Sequence, residues 1–262
     1  MEPKIGVALG AGAAKGLAHI GVLRAFEEEE IPIDYLAGTS IGSIIGGFYA
    51  AGVNLHMLER LAVHLDWEHL TDLTVSRMGL IAGNKLKEFF KLLTKQQEFA
   101  DLDVPFAAVA ADVEAGKEVV LEEGLVADAL RASMSIPGVY VPYRLEGRKL
   151  VDGAVLNRVP ISVIKSMGAD VIIGVDVSHD IKTHEQVNNI FEVIINSIDI
   201  MQQEIAHHKK LDADILVVPK LGHISPRGLD RAQETIELGY QAAEDKIPAI
   251  KELIKQQQLA TS

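Results

Sequence analysis

Ser40 stands in Gly38-Thr39-Ser40-Ile41-Gly42, a serine with glycine two positions before it and two after. The apolar run Ile33 to Ala37 precedes this stretch, and a second run rich in small residues, Ile44 to Ala51, follows it. Between a strand and a helix, that spacing describes a nucleophile elbow, a turn too sharp for side chains at the flanking positions, which lifts the serine hydroxyl over the sheet edge. The turn also aims the first N–H groups of the next helix, that of Ile41 among them, at the same point, where the helix dipole favours negative charge. A hydroxyl beside such donors is what acyl transfer needs. The spacing alone arises by chance in about one chain in ten of this length, so the remaining parts of a serine hydrolase must be found elsewhere.

A serine nucleophile needs a base. A triad in the order Ser, Asp, His would take a downstream histidine, and His179, His184, His207, His208 and His223 are available. None sits in a loop or glycine-framed context that singles it out, and His207 and His208 lie beside Lys209 and Lys210 in a polar helix end. Asp152 has a better claim, at the end of the apolar strand Lys149-Leu150-Val151 and next to Gly153. A carboxylate that caps a turn is the alternative for Asp152. An aspartate is a weak base for a hydroxyl; desolvation beside the elbow would strengthen it. The third part is a loop of small residues, Gly10-Ala11-Gly12-Ala13-Ala14-Lys15-Gly16. Its backbone N–H groups would bind an oxyanion if it lay beside the elbow, and Lys15 would attract a phosphate or orient the loop. The glycine spacing is one residue longer than a dinucleotide fingerprint, and Lys15 is followed by Gly16 rather than Ser or Thr, so neither nucleotide motif fits.

The elements that must position these residues follow from periodicity. Lys4 to Gly10 reads as a buried strand, Leu17 to Glu29 as a helix, Ile33 to Thr39 as a second strand, and a helix runs from the elbow to about Gly52. That order predicts parallel strands joined by right-handed crossovers. Further helices are predicted at His56 to Glu68, Asn84 to Gln96 with Asn84 as N-cap, Ala127 to Ser133, Pro160 to Met167 and Glu185 to His208, with a mostly helical end from Asp230 to Gln258. Val104 to Ala111 and Glu118 to Leu121 read as a hairpin across Glu114 to Lys117, Val171 to Val177 as a central strand, and Asp214 to Val218 as a last strand. Ile136-Pro137-Gly138 and Val141-Pro142 read as loop. The helix Asn84 to Gln96 has an apolar face, Leu86, Phe89, Phe90 and Leu93, and a basic one, Lys87, Lys91 and Lys95. It is a surface helix with its apolar side inward or a lid in contact with lipid. The stripe Val187, Ile190, Phe191, Ile194, Ile198, Met201 and Ile205 is a wide core face or a contact in a homo-oligomer. One domain over 1–262 is the simplest reading, with a catalytic core over 5–165 completed by 166–262.

The bulk properties exclude several classes. The net charge of −12 argues against a nucleic-acid partner and against broad attraction to anionic membranes. With no cysteine there is no disulfide, thiol catalysis or cysteine–zinc site. The start of the sequence has no signal-peptide pattern, so a cytoplasmic location is expected, with peripheral membrane contact as an addition. Tyr35 to Leu58 lacks Asp, Glu, Lys and Arg, but its glycines and polar residues suit a buried strand–turn–helix better than a membrane span.

Taken together, Gly12-Ala13-Ala14-Lys15-Gly16-Leu17-Ala18-His19-Ile20-Gly21-Val22-Leu23, then Gly38 to Gly42, then Asp152-Gly153-Ala154 resemble the three motif regions of patatin-like phospholipases, in the same order. Arg131-Ala132-Ser133-Met134-Ser135-Ile136-Pro137-Gly138 and Met167-Gly168-Ala169-Asp170 resemble the bacterial branch related to neuropathy target esterase. The resemblance implies a three-layer α/β/α fold with a mostly parallel sheet. It also implies a Ser-Asp dyad of Ser40 and Asp152, and an oxyanion hole of backbone N–H groups near Gly12, Ala13 and Ile41. Gly10, Lys15, Gly16, Gly38, Gly42 and Gly153 are the supporting motif residues. The substrate class is a lipid acyl ester, such as a phospholipid or lysophospholipid, with no metal or cofactor required. The sequence departs from the family's Gly-Gly-Gly loop at Ala11 and Ala13, which matters if either position needs positive φ. A lipid-binding or regulatory protein with little hydrolysis is the alternative that this departure motivates.

Overall fold

A computed structural model describes residues 2–65, 67–178, 193–194, 196–198, 200–201, 212–225 and 228–260. Strand β1 (Ile5–Leu9) leads through the small-residue loop and a 3-10 turn into helix α1 (Ala18–Glu28). Strand β2 (Tyr35–Thr39) leads through Ser40 into α2 (Ile41–Ala50). After α3 (Leu55–His64) come β3 (Gly79–Ile81), α4 (Asn84–Leu93), β4 (Phe106–Asp112), β5 (Lys117–Leu121) and α5 (Val126–Ser133). Strands β6 (Gly138–Tyr140), β7 (Tyr143–Leu145) and β8 (Arg148–Asp152) precede α6 (Ile161–Met167), β9 (Val171–Val175), β10 (Ile215–Val217), α7 (Ala232–Glu244) and α8 (Ile247–Ala260).

The main sheet has the order β10-β9-β1-β2-β4-β8-β7, and β5 also pairs with β4. The five strands from β10 to β4 are parallel, as the strand–helix alternation requires, while β5 and β8 pair antiparallel with β4 and β7 pairs antiparallel with β8. The two faces differ in residue size. Ile5, Val7, Leu9, Leu36 and Phe106 belong to the large core beneath the helices of one layer. Ala8, Ala37 and Ala107 face the other way, in a smaller core with Ile161, Val163 and Ile164 of α6. Small side chains let α6 lie close: a Cβ on Gly6 would meet Ile164 Cγ2 at 2.3 Å. The result is a mostly parallel sheet between helical layers.

Several expectations shift in detail. The helix predicted from Asn84 is capped not by that residue but by Asp72, whose carboxylate accepts from the N–H groups of Gly83 (2.7 Å) and Asn84 (2.8 Å). Gly83 itself occupies the cap position at φ 75°, which glycine tolerates. Leu86, Phe90 and Leu93 are buried and Lys87 pairs with Asp128 at 2.6 Å, so α4 turns its apolar face into the core. Asn54 caps α3, accepting from Met57 N, so that helix begins and ends earlier than predicted. β9 is an interior strand but stands one place from the sheet end; β1 and β10 cover both its edges, which is why it reads as central. β6 begins at the end of the predicted loop Ile136-Pro137-Gly138 and β7 directly follows the predicted loop Val141-Pro142; both are too short and too close to prolines for a period-two pattern to show. Of the 185–208 stripe, Ile194, Ile198 and Met201 are described; Val187, Ile190, Phe191 and Ile205 lie outside the described residues. Tyr35 to Leu58 is largely buried in β2 and α2, and no described helix is long and apolar enough to cross a membrane.

Candidate active site

The register of three strands on β4 brings the site together. On one edge of β4, β2 rises until Thr39 stands opposite Val109. β8 comes down from the opposite direction until Asp152 stands opposite Ala110. β5 pairs with Ala108 to Asp112, which include partners of both, so β2 and β8 share the other edge and meet end to end. The chain after Thr39 has no strand edge left to follow and must turn away. It does so at Ser40, with φ 56° and ψ −125°. A non-glycine residue at such a φ stores strain of about 1–3 kcal/mol and persists only where its surroundings enforce it.

Those surroundings are close. A Cβ on Gly38 would lie 2.4 Å from Gly42 O, and one on Gly42 would lie 2.3 Å from Leu9 O. Both contacts are with backbone, so the two glycines of the motif are a steric requirement. The Ser40 N–H donates to Ser133 Oγ at 2.9 Å, and Ser133 Oγ donates to Val109 O at 2.6 Å. Ser43 Oγ donates to Ser40 O at 2.6 Å. Ser40 Oγ donates to Asp152 Oδ2 at 2.6 Å, with both residues buried. The other carboxylate oxygen accepts from Ala154 N at 2.8 Å, and the Asp152 N–H donates to Ser135 O at 2.9 Å. Asp152 therefore both caps a turn and meets the serine. Gly153 has to be glycine, because a Cβ would stand 2.3 Å from Val109 O.

The loop after β1 forms the opposite wall. Gly10 N donates to Val175 O (3.0 Å) and Ala11 N to Arg158 O (2.9 Å), while Thr39 Oγ1 donates to Asn157 O (2.9 Å). The three sequence motifs are thus laced to one another through the segment that follows Asp152. The first loop N–H groups not used in this way are those of Gly12 and Ala13, among the described residues. On the elbow side the Ile41 N–H opens α2, and the first N–H groups of a helix have no acceptor within it. Ala13 has φ 49°, so positive φ is required at that position; Ala11 has no such requirement. Lys15 is buried and lines the pocket, and a Cβ on Gly16 would clash with Ile41 Cγ2 at 2.0 Å.

These walls line an open cleft of about 640 Å³, the solvent at its mouth included. Ser40, Asp152, Lys15 and Arg158 are among its polar or charged linings, and Ile136, Pro137, Val155 and Ile198 are apolar ones. The pocket sits outside the carboxyl ends of β1 and β2, beside the place where the sheet order reverses from β1–β2 to β1–β9, where ligands bind in open α/β sheets. Among the described residues no group of three or more His, Cys, Asp or Glu side chains is arranged to hold a metal ion.

Three supporting residues escaped sequence reasoning. Ser133, within the Arg131 to Gly138 block, orients the elbow through its bonds to Ser40 N and Val109 O. Arg131 is buried and donates to Gly83 O (3.1 Å), Ala82 O (2.7 Å), Val141 O (3.0 Å) and Ser135 Oγ (2.5 Å). It therefore ties the stretch beneath Asp152 to the segment before α4. His19 is fully buried, its Nε2 lying 2.7 Å from Gly10 O. Burial pushes its pKa down to about 4, against the smaller raising effects of Gly10 and Asp176, so the ring is neutral and donates through Nε2. Among the described residues its Nδ1 has no partner. Of the downstream histidines, His223 pairs with Glu234 at the surface, and His179, His184, His207 and His208 lie outside the described residues.

A family model described as patatin-like phospholipase matches residues 7–164. An uncharacterised NTE family protein of Mycobacterium tuberculosis is 36% identical over 180 residues, 68% of this chain and 50% of that protein. The lysophospholipase NTE1 of Pyricularia oryzae is 35% identical over 182 residues, 66% of this chain and 12% of that protein. The patatin-like phospholipase domain-containing protein 6 of Mus musculus is 32% identical over 189 residues, 68% of this chain and 14% of that protein. The matched region thus spans half or less of these relatives. Among solved structures, VipD from Legionella pneumophila superposes with a TM-score of 0.67 at 11% identity, covering 95% of this chain and 67% of that one. The type III effector ExoU gives 0.52 at 13% identity, covering 95% of this chain and 53% of that one. Those two likenesses speak for the fold, and the family match covers all three motifs: the chain belongs to the patatin-like phospholipase family.

Proposed function

We propose that this chain is a serine esterase that hydrolyses acyl esters of lipids, with Ser40 as nucleophile and Asp152 as its base. The observation that carries the reading is the 2.6 Å hydrogen bond from Ser40 Oγ to Asp152 Oδ2 at the floor of an open, partly apolar pocket. A base within 2.6–3.2 Å of the proton it takes satisfies the geometric condition for general-base catalysis.

In the first half-reaction Asp152 accepts the hydroxyl proton as Ser40 Oγ bonds to the acyl carbonyl carbon. The carbonyl oxygen becomes an oxyanion, and the N–H groups of Gly12, Ala13 and Ile41 face it. Ser40 cannot supply its own N–H, since Ser133 Oγ takes it. The carbon–oxygen bond to the leaving alcohol breaks and the proton passes from Asp152 to that alcohol, leaving an acyl-serine. Water then attacks with Asp152 again as base, and the carboxylic acid leaves. Ala154 N holds the second carboxylate oxygen, which keeps the first one aimed at Ser40 throughout. Relatives named as lysophospholipases favour phospholipid and lysophospholipid esters as the substrate class. Ala13 at φ 49° in the oxyanion wall supports the second reading, a lipid-binding protein with little turnover.

The test is labelling by a fluorophosphonate and turnover of p-nitrophenyl butyrate. Ser40→Ala abolishes both, and Asp152→Asn lowers turnover by roughly 10³–10⁴-fold, as for other triad and dyad members. Labelling that survives in Ser40→Ala removes the assignment of the nucleophile. Turnover that survives in Asp152→Asn moves the base to another residue.

A further inference from the structure

The segment between α3 and α4 is a small antiparallel hairpin. Thr74 N donates to Leu80 O at 2.8 Å, Ala82 N donates to Asp72 O at 2.9 Å, and Leu73 bridges Ile81. The tip is drawn in by Met78 N donating to Ser76 Oγ at 3.1 Å. Its large side chains point outward: Leu73, Val75, Met78 and Leu80 are all exposed, Leu73 to 80% and Val75 completely. From Leu73 to Ile81 the only charged residue is Arg77, in a chain whose net charge is −12.

The hairpin is tied to the wall of the Ser40 pocket. β3 pairs in parallel with β6, Gly79 opposite Gly138 and Ile81 opposite Tyr140, and Val141 N donates to Ile81 O at 2.9 Å. Gly79 has to be glycine, since a Cβ would meet Tyr140 C at 2.5 Å. Ile136 and Pro137, immediately before β6, line the pocket. Arg131 then fastens both sides, bonding Ala82 O and Val141 O through one guanidinium nitrogen. Apolar surface continues on the segment packed against β6, where a Cβ on Gly138 would lie 3.1 Å from Ile194 Cδ1: Ile198 lines the pocket while Ile200 and Met201, just beyond it, are exposed.

We propose that Leu73 to Ile81 is a membrane-docking finger, which inserts its apolar tip into the headgroup–acyl boundary of a phospholipid bilayer and holds the mouth of the Ser40 pocket against the lipid. The proposal rests on the pocket taking lipid acyl esters. The size of the tip favours a bilayer over a second copy of the chain. A stable protein interface buries about 800 Å² on each partner, with some 20–30 residues a side, and a single hairpin tip falls far short of that. A bilayer needs no such area, because each apolar side chain buried in it contributes independently. The strongly acidic chain is repelled by an anionic surface, so docking is driven by apolar burial and operates on zwitterionic lipid. The lipid contact thereby moves from α4, whose apolar face is committed to the core, to the hairpin directly before it.

The experiment is flotation of the full chain with phosphatidylcholine vesicles, for the wild type, Ser40→Ala and the double variant Leu73→Ser/Val75→Asp. Burying one such side chain is worth more than about tenfold in partitioning, so the double variant floats at least tenfold less than the wild type. It keeps p-nitrophenyl butyrate turnover within about twofold, as exposed substitutions do, and loses hydrolysis of the vesicle lipid. Ser40→Ala floats like the wild type. Equal flotation of wild type and double variant, or no flotation of the wild type, overturns the proposal. So does a wild-type dimer in light scattering that the double variant converts to monomer, with vesicle binding unchanged; the finger is then an interface between copies. Flotation by a wild type that hydrolyses no ester leaves docking standing and removes the catalytic reading instead.

Discussion

Two turns flank the pocket, and each places a residue with a side chain in the left-handed region: Ser40 at φ 56° and Ala13 at φ 49°. The resemblance ends there. Around Ser40 every route to relaxation is closed. Its N–H and C=O are taken by Ser133 and Ser43, and its flanking glycines pack backbone against backbone. The strand edge it would follow belongs to β8. Among the described residues the Ala13 N–H has no acceptor, and the loop before it is fastened through Gly10 and Ala11 on Val175 and Arg158 and through His19 on Gly10 O. Similar φ angles therefore carry different information. At the elbow the strain is enforced by tertiary structure; in the loop it is a local cost that one substitution relieves.

The sharpest way to break this contrast is at the enforced turn. Gly42→Ala puts a Cβ 2.3 Å from Leu9 O, where only backbone movement makes room. Destabilisation of about 3 kcal/mol or more is expected, a Tm lower by roughly 6–12 °C in a chain of this size, together with lost esterase activity. An unchanged melting curve would mean that the elbow is not over-determined. A smaller effect is expected behind the loop, and it depends on pH. His19 has its pKa lowered to about 4 in the folded state against an ordinary 6.5. Below pH 6.5 the unfolded chain binds a proton that the folded one refuses, so stability falls from about pH 6.5 down to about pH 4 and then levels off. The loss at the lower end is about 3 kcal/mol. His19→Gln retains a donor for Gly10 O and lacks this titration. Urea denaturation of the two proteins between pH 7 and pH 4 checks it, and parallel curves would show that the imidazole is not buried neutral. The smallest effect is at Ala13. Ala13→Gly removes about 1–2 kcal/mol of left-handed strain and adds about 0.5–1 kcal/mol of backbone entropy cost, leaving net stability within about 1 kcal/mol. Turnover of p-nitrophenyl butyrate should stay within about threefold of the parent. A tenfold rise would show that alanine holds the N–H groups away from their working position, and would favour the binding-protein reading for the native chain.

Much of the fold was legible because the strands and helices around the site are long and locally consistent. β1, β2, α1 and α2 each announce themselves by period and by small residues at the turns. The β4–β5 hairpin formed where Gly116 permits its positive φ of 64°. β3, β6 and β7 were not legible: three-residue strands have no measurable period, and these exist because Arg131 and neighbouring backbone hold them. The cap of α4 was misplaced for a similar reason. Asn84 is the better local cap, but Asp72 is brought to the same N–H groups by the hairpin between them. Ser133 and His19 carried no local signal either, since a serine at a helix end and a histidine on an apolar helix face look ordinary until their partners are known.

From the sequence alone, the chemistry of the individual pieces was determined: a serine on a turn that only glycines permit, an aspartate ending a strand, and a loop of small residues with exposed backbone. Those are short-range properties, set by steric exclusion within a few residues. That Ser40 and Asp152, 112 residues apart, share a hydrogen bond was decided only by tertiary structure. The physical reason is the edge of β4, which is long enough for β2 and β8 to end on it from opposite directions but not for either to continue.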